Sequence, residues 1–379
     1  MMYMVKSSGY VADKKLIAVM VLVFVALVGS LAVIYFDLRS DIASLKSDNA
    51  DLSSKVEQLQ RLFDELHANQ TSGLSAVQIY NQTKFSVVLI TTDRGGGSGF
   101  VYDSQGHIVT NNHVVENATS INVTFFDGSA ETAHITGTPD VYSDLALIKV
   151  DKLPAQSQPL PIRNSTQLMV GEPAYAIGNP FGLSSSITSG IISQLERVKK
   201  LSELGEPVPP DEGNYSLPDL IQFDAAVNTG SSGGPLLDSF GYIIGVTFAI
   251  ETDNTGVNGF IGIAYAIPSV LLMRVIPALE TTGHYDHPWV GIEYDSLYTD
   301  GVHLTGIVPG SPAYKAGLQV GEVIKQVDGL QVNTGADFVI YLERYKSPGD
   351  TIELNIKRNG NARNETLTLE PRAPTQASP

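Results

Sequence analysis

From about residue 80 onward, short runs rich in Val, Ile and Thr alternate with turns of Gly, Asn, Asp and Pro, and this period restricts the fold more than any other feature of the chain. β-Branched residues suit a pleated, half-buried surface, while Gly, Pro, Asn and Asp supply the dihedral angles that reverse a chain. Many short strands at such spacing predict a mainly β body. The 379 residues allow two to three domains, and 43% hydrophobic residues suffice for a sizeable core.

The N-terminal part follows other periods. Leu16 to Phe36 is a run of 21 residues without a charge. At about 1.5 Å per residue it is long enough for a hydrocarbon layer of roughly 30 Å. The alternative is a cleaved signal peptide, but its apolar region is typically ~7–15 residues, and no clear small-x-small cleavage site follows here. Lys6, Lys14 and Lys15 precede the run, while Asp37, Arg39 and Asp41 follow it. That bias orients the N-terminus toward the cytoplasm and the remainder outside the cell membrane.

Next, Leu38, Leu45, Leu52, Leu59 and Leu66 recur every seven residues, with Ile42, Asn49, Val56 and Phe63 between them. This spacing predicts a coiled coil, and β-branched residues opposite leucines with one buried Asn49 favour a parallel dimer. Asn69 to Gly73 then breaks the pattern and reads as a linker.

The net charge of −16 excludes a nucleic-acid partner, which needs a basic face. The absence of cysteine excludes disulfides, thiolate metal sites and a cysteine nucleophile. Seven Asn-X-Ser/Thr sequons, at Asn69, Asn81, Asn117, Asn122, Asn164, Asn214 and Asn364, all follow the apolar run. His284 and His287 flank Asp286 and read as a solvated linker rather than as metal ligands. No cofactor or metal is expected.

Three segments carry chemistry. Thr110-Asn111-Asn112-His113-Val114-Val115 places His113 just after a strand. In Ser143-Asp144-Leu145-Ala146-Leu147-Ile148-Lys149-Val150 a single carboxylate opens an apolar strand. Asn228-Thr229-Gly230-Ser231-Ser232-Gly233-Gly234-Pro235-Leu236 is a glycine-bounded turn bearing hydroxyls. A serine hydroxyl needs an adjacent base, imidazole titrates near the working pH, and a carboxylate on its far nitrogen fixes the tautomer. Ser232, His113 and Asp144 are therefore the expected nucleophile, general base and orienting acid, in the chain order His, Asp, Ser.

These segments resemble the HtrA/Deg family of trypsin-like serine proteases, in a membrane-anchored form. TNNHVV, SDLALIKV, TGSSGGPL and GEPAYAIGNPFG carry the resemblance, which covers about residues 75 to 372. It implies two packed antiparallel β-barrels with the triad between them, and trimers built through the protease domain; the heptads alone favour a dimer. Where the family usually has Asn before the catalytic serine, this chain has Ser231. Ser232 is preferred because it directly precedes Gly-Gly-Pro, with backbone N–H groups of Gly230 and Ser232, joined by Ser231, as the oxyanion hole. Ala226 stands six residues before Ser232, where an acid would select basic substrates, and Asp224 comes two residues too early. A small apolar specificity pocket with Phe248 and Ile250 on its wall is expected, for cleavage after Val, Ala or Ile. The charged stretch Ser193 to Asp219 is longer than the family's loop, and part of it reads as a short helix.

From Trp289 the chain resembles a PDZ domain of the same family, on VPGSPAYKAGLQVGEVIKQVDGLQV. The resemblance implies a helix over Asn333 to Tyr345 and a closing strand over Thr351 to Lys357. It also implies that Val290, Gly291 and Ile292 capture a peptide C-terminus by strand addition. The expected organisation is a cytoplasmic N-terminus (1–15), a transmembrane helix (16–36), a coiled coil (37–68), a linker (69–78), a protease domain (79–283), a PDZ domain (284–372) and a disordered tail (373–379). The expected activity is cleavage of unfolded or exposed polypeptides outside the cytoplasm; the alternative is a catalytically silent, membrane-anchored PDZ scaffold.

Overall fold

The computed structural model describes residues 14–69, 73–179, 185–200, 216–250 and 260–372. The chain divides into two units, Met1–Gly73 and Leu74–Pro379.

In the first unit, α1 (Lys14–Asn69) is one helix of 56 residues that contains both the apolar run and the heptads. Among the described residues of the heptad stripe, Leu38, Ile42, Leu45, Leu52, Val56 and Leu59 are exposed. Among the described residues no helix is long and apolar enough to cross a membrane. Several side chains between Leu16 and Phe36, and those of Phe63 and Leu66, lie outside the described residues, as do residues 1–13 and 373–379.

The second unit begins earlier than the expected linker allows. α2 (Ala76–Thr83) is closed by a capping box in which the Ser75 hydroxyl accepts from the Gln78 N–H and the Gln78 side chain accepts from the Ser75 N–H. Ile79 is fully buried, and the Leu74 N–H donates to the Ser239 carbonyl at 2.7 Å. Ser75-x-x-Gln78 was the signal for this start.

Two closed barrels follow. The first is built from β1 (Val87–Thr92), β2 (Gly96–Val101), β3 (His107–Asn111), β4 (Ile121–Thr124), β5 (Ala130–Asp140) and β6 (Leu145–Val150), in the order β1-β2-β3-β6-β5-β4. The one-turn helix α3 (Asn112–Val115) leaves β3 directly. The second barrel uses β7 (Pro173–Gly178), β8 (Ser186–Lys200), β9 (Ser216–Phe223), β10 (Pro235–Leu237), β11 (Ile243–Ile250) and β12 (Ala264–Pro268), in the order β10-β11-β12-β9-β8-β7.

Strand β6 shows why its sequence is apolar apart from Lys149. Successive side chains of a strand point to opposite faces. Ala146, Ile148 and Val150 fill the first barrel, while Leu145 and Leu147 pack into a central core with Phe100, Val109, Ile177, Val246 and Phe248. Helix α4 (Ser269–Thr281) adds Leu271, Leu272, Val275, Ile276 and Leu279 to that same core. The site lies where the two barrels meet.

The expected helix within Ser193–Asp219 is not what the described residues form. β8 runs to Lys200 and β9 resumes at Ser216, paired antiparallel with register shifts around Gln194 and Arg197; residues 201–215 lie outside the described residues. The bulges give Glu196 and Asp219 positive φ (59° and 64°) and leave both carboxylates in reach of Arg344.

The C-terminal part is a PDZ-type sheet. β13 (Pro288–Trp289) pairs with β20 (Glu370–Pro371), and β14 (Ile292–Tyr294), β15 (Val302–Ile307), β16 (Val323–Val327), β18 (Thr351–Arg358) and β19 (Asn361–Thr368) form one ladder, with β17 (Leu330–Gln331) on β16. α5 (Pro312–Lys315) precedes β16, and α6 (Gly335–Tyr345) is capped by Thr334 and Asp337. Val302, Leu304, Ile324, Phe338, Leu342, Ile352 and Leu354 form its core. α6 docks on the protease body: Arg344 binds Asp219 at 2.5 Å and 2.7 Å and Glu196 at 2.9 Å, while Arg274 of α4 donates to the carbonyl oxygens of Arg344 and Lys346 at the helix end.

Candidate active site

His113 sits in α3, one turn past β3, and Asp144 immediately precedes β6, which pairs with β3. Chain positions 31 residues apart are thus neighbours by register. Asp144 Oδ2 lies 2.7 Å from His113 Nδ1, and Asp144 Oδ1 accepts the His113 backbone N–H at 2.9 Å. The Asp144 carbonyl accepts from the Asn112 N–H at 2.9 Å and from Asn111 Nδ2 at 3.0 Å. The aspartate is 4% exposed. Its φ of +53° is a region L-residues enter at a cost, with Asn and Asp the best tolerated.

Ser232 lies on the turn before β10. Its hydroxyl donates to the Phe248 carbonyl at 3.0 Å, and the Phe248 ring meets the His113 ring edge-on at 6.2 Å between centroids. Phe248 therefore touches both, and is fully buried. Ser98, which the sequence reading passed over as part of a Gly-Ser-Gly strand, holds the turn from β2. Its N–H donates to the Ser232 carbonyl at 2.8 Å and its hydroxyl to the Gly230 carbonyl at 2.6 Å. Gly233 has φ +86°, and a Cβ there would fall 2.1 Å from the Ser98 carbonyl oxygen. Only glycine fits this approach.

The two adjacent hydroxyls differ. The Ser231 N–H donates to the Asn228 carbonyl at 2.8 Å, and its hydroxyl accepts the Asn228 N–H at 3.3 Å. Ser231 is thereby tied into its own turn, and its N–H is directed away from any oxyanion. The Ser231 carbonyl accepts from Gly234 N–H at 3.0 Å. Because the peptide group is planar and trans, the Ser232 N–H then points the opposite way. Among the described residues neither the Gly230 nor the Ser232 N–H donates to another group. Of the three expected donors, Ser231 is the one whose N–H is engaged within its own turn.

Of the expected pocket residues, Phe248 is at the site. Ala226 is exposed between buried Ala225 and Val227, and the side chain of Ile250 lies outside the described residues, although its backbone closes β11 against Ala264. Asp224 accepts the Ile191 N–H at 2.7 Å and is committed there. In the PDZ part, Gly291 has φ +78° and a Cβ would strike Ser311 at 2.1 Å. The carbonyls of Val290 and Gly291 accept from Ala313 and Val308, which fixes the loop, and Ile292 opens β14 opposite Ile307. Among the described residues one trio could offer metal ligands, Asp103, His107 and Glu280. Its His107 Nδ1 is already hydrogen-bonded to Asp103 at 2.6 Å.

His287 overturns the solvated-linker expectation: it is 2% exposed, whereas His284 is open to solvent. Its Nε2 lies 2.9 Å from Asp140 Oδ2 and its Nδ1 3.0 Å from both oxygens of Glu343 on α6. Burial alone would push the imidazole down, but the charges and hydrogen bonds of Asp140 and Glu343 prevail and raise it from its ordinary 6.5 to about 10. A raised histidine stabilises the fold fully below the unfolded value and loses that contribution as pH rises through the folded one. The full chain is therefore expected to lose thermal stability from about pH 6.5 to about pH 10, and His287→Gln to flatten that slope. A wild-type melting temperature independent of pH across this window would contradict the assignment.

Paired six-stranded barrels with a buried Asp–His couple and a serine at their junction, followed by a PDZ sheet, define a trypsin-like peptidase with an appended PDZ domain. The trypsin-like peptidase domain family matches residues 97–246 and the PDZ domain family residues 279–369. The chain is 34% identical over 361 residues to "Protease Do-like 1, chloroplastic" of Arabidopsis thaliana, covering 89% of this chain and 79% of that protein. It is 39% identical to "Probable periplasmic serine endoprotease DegP-like" of Chlamydia trachomatis serovar D, covering 70% of this chain and 52% of that protein, so it spans about half of that relative. The solved structure "HtrA-type protease AlgW with tripeptide" superposes with a TM-score of 0.67 at 30% identity, over 79% of this chain and 98% of that one. The chain belongs to the HtrA/Deg family of serine proteases.

Proposed function

We propose that the chain is a serine endopeptidase acting on unfolded or exposed polypeptides through an acyl-enzyme, with Ser232 as nucleophile, His113 as general base and acid, and Asp144 orienting His113. The observation that carries this reading is the 2.7 Å contact of Asp144 Oδ2 with His113 Nδ1, beside a serine hydroxyl on the neighbouring Phe248 carbonyl. With Nδ1 committed to Asp144, the proton acceptor is Nε2. The Ser232 hydroxyl turns from Phe248 to attack the scissile carbonyl carbon, and its proton passes to Nε2. The resulting oxyanion is stabilised by the Gly230 and Ser232 N–H groups, and such a donor is worth about 3–4 kcal/mol. Collapse expels the amine with the proton from His113, and water, deprotonated by His113, releases the acid.

Cleavage after small aliphatic residues fits the diversion of Asp224 to Ile191 and the small side chain at Ala226; a cleavage profile dominated by Arg or Lys would refute it. The PDZ part binds peptide C-termini at Val290, Gly291 and Ile292. The solved AlgW structures with a tripeptide and a decapeptide support peptide binding in this family. Leu16–Phe36 serves as a single membrane anchor with the protease outside the cytoplasm, and the exposed heptads assemble a stalk, a trimer by family resemblance. Release of the full chain from membranes by an alkaline wash would argue against the anchor, and a monomeric mass in detergent against the stalk.

A serine-reactive fluorophosphonate tests the central claim. It is expected to label the wild type and Ser231→Ala alike, and to leave Ser232→Ala unlabelled. Labelling of Ser232→Ala would transfer the role elsewhere and favour the silent-scaffold alternative.

A further inference from the structure

The segment between the two domains carries a buried charged group that the proposed chemistry does not use. Both ring nitrogens of His287 face carboxylates, Nε2 toward Asp140 and Nδ1 toward Glu343. An imidazole can donate from both nitrogens only as the cation. Tyr285 and Tyr142 meet the ring edge-on at 4.7 Å and 5.5 Å. Arg274 donates to the Tyr285 hydroxyl at 3.0 Å, and Arg372 lies over the Tyr142 ring while its N–H donates to the His287 carbonyl. Among the described residues, Asp140, Glu343, Tyr285, Tyr142, Arg274 and Arg372 are the titratable and charged groups around the ring.

What Asp140 does on its other side matters most. It ends β5 opposite Leu145, across a register shift, so that Val141, Tyr142, Ser143 and Asp144 form one tight connection to β6. Asp140 Oδ1 accepts the Tyr142 N–H at 3.3 Å, and Oδ2 accepts the Ser143 N–H at 3.2 Å and the Ser143 hydroxyl. Asp140 thus shapes the turn whose last residue is Asp144, held at φ +53°. A residue kept in that region needs its surroundings to over-determine it. The same Oδ2 that holds Ser143 is held by His287.

We propose that His287 is a positioning residue for the peptidase reaction: by fixing Asp140 and its turn it sets the Asp144 carboxylate on His113, and by holding Glu343 it ties that setting to the PDZ helix α6. This rests on the triad reading given above. Removing the imidazolium leaves the buried carboxylates of Asp140 and Glu343 without their shared cation, and Asp140 then draws on Ser143 and Tyr142. The turn relaxes, Asp144 leaves its optimum, and the imidazolium formed during catalysis is less well stabilised. The protonated form of His113 in the free enzyme loses part of the same stabilisation.

The experiment measures kcat, KM and the pH dependence of kcat/KM for the full chain in detergent, using a chromogenic peptide ending in valine. His287→Gln is expected to lower kcat about tenfold, to leave KM within about twofold, and to move the acid limb of the profile to lower pH, since that limb reports the free base. Ser143→Ala, which removes one hydroxyl from Asp140 and leaves the His287 contacts in place, is expected to move the limb in the same direction with a smaller loss of kcat. It decides the matter if His287→Gln does not fold. A folded variant with wild-type kcat and an unmoved acid limb would overturn the positioning role, leaving His287 a purely structural tie. Ser232→Ala, run in parallel, separates the two claims: if it stays active, the triad reading fails first and the proposal with it.

Discussion

Ser232→Ala is expected to lower kcat by a factor on the order of 10⁵ to 10⁶ with KM nearly unchanged, a loss of about 7–8 kcal/mol of transition-state stabilisation. The hydroxyl is the only group lost. The turn is held by backbone: Ser98 grips the carbonyls of Ser232 and Gly230, and Gly233 and Gly234 exchange hydrogen bonds with Thr247 of β11. The Gly230 and Ser232 N–H groups therefore stay in place, and the variant should retain substrate binding and a residual rate above that in water. Ser231 offers no substitute. Its hydroxyl and N–H are engaged with Asn228, and its Cα would stand 3.0 Å from a Cβ at Gly178, so it packs against β7 rather than into the cleft. Ser231→Ala is accordingly expected to stay within about threefold of wild type, since it removes one local hydrogen bond, worth about 1 kcal/mol or less. Digestion of casein by the full chain in detergent, with melting temperatures measured alongside, checks both. A comparable loss in Ser231→Ala at unchanged stability would reverse the assignment.

The sequence disclosed those parts of the site whose chemistry is local. His113 follows β3 and Asp144 precedes β6 because each segment carries its own strand pattern, and both patterns stand in consecutive residues. The mainly β architecture was legible for the same reason, since strand periodicity and turn residues are properties of short windows. What escaped were pairings across long stretches of chain. His287 looked like an exposed linker histidine because its partners are 147 residues before it and 56 after it. Ser98 looked like a strand residue because the turn it grips lies 132 residues away. Part of the charged stretch Ser193 to Asp219 reads as a short helix in the sequence. Its described ends are bulged strands whose acidic groups are balanced by Arg344 of the PDZ helix, a partner no local window contains. The helix α4 was likewise hidden: Pro277 stands inside it, and Arg274 interrupts its apolar residues. Leu271, Leu272, Val275, Ile276 and Leu279 face the core, while Met273, Pro277 and Glu280 form its exposed side.

Asp144→Asn is expected to lower kcat by about 10⁴ while leaving the fold unchanged, and this substitution isolates charge from shape. Asparagine is close in size to aspartate and is among the few residues that tolerate φ near +53°. The contacts from Asn111 and Asn112 go to the Asp144 backbone carbonyl, so they survive the change. An amide oxygen at Oδ1 can still accept the His113 N–H. The amide nitrogen then replaces Oδ2 and donates to Nδ1 instead of accepting from it. The imidazole is driven to carry its proton on Nε2, where it can no longer receive the Ser232 proton. The imidazolium formed during attack also loses its counter-charge. Because Nε2 now starts protonated, both acylation and deacylation slow, and fluorophosphonate labelling of Ser232 should fall with kcat rather than stay fast. Rapid labelling with slow peptide turnover would place the defect after acylation and remove Asp144 from its assigned role in activating the serine. The alternative substitution, Asp144→Ala, removes both the charge and the acceptor for the His113 N–H, and its larger loss of stability would be uninformative about tautomer. The comparison of Asp144→Asn with Ser232→Ala therefore measures how much of the serine's reactivity reaches it through His113. If the two variants were equally inactive, the couple would supply all of it. The expected gap of about 10- to 100-fold leaves a minor share to the oxyanion donors and substrate alignment alone.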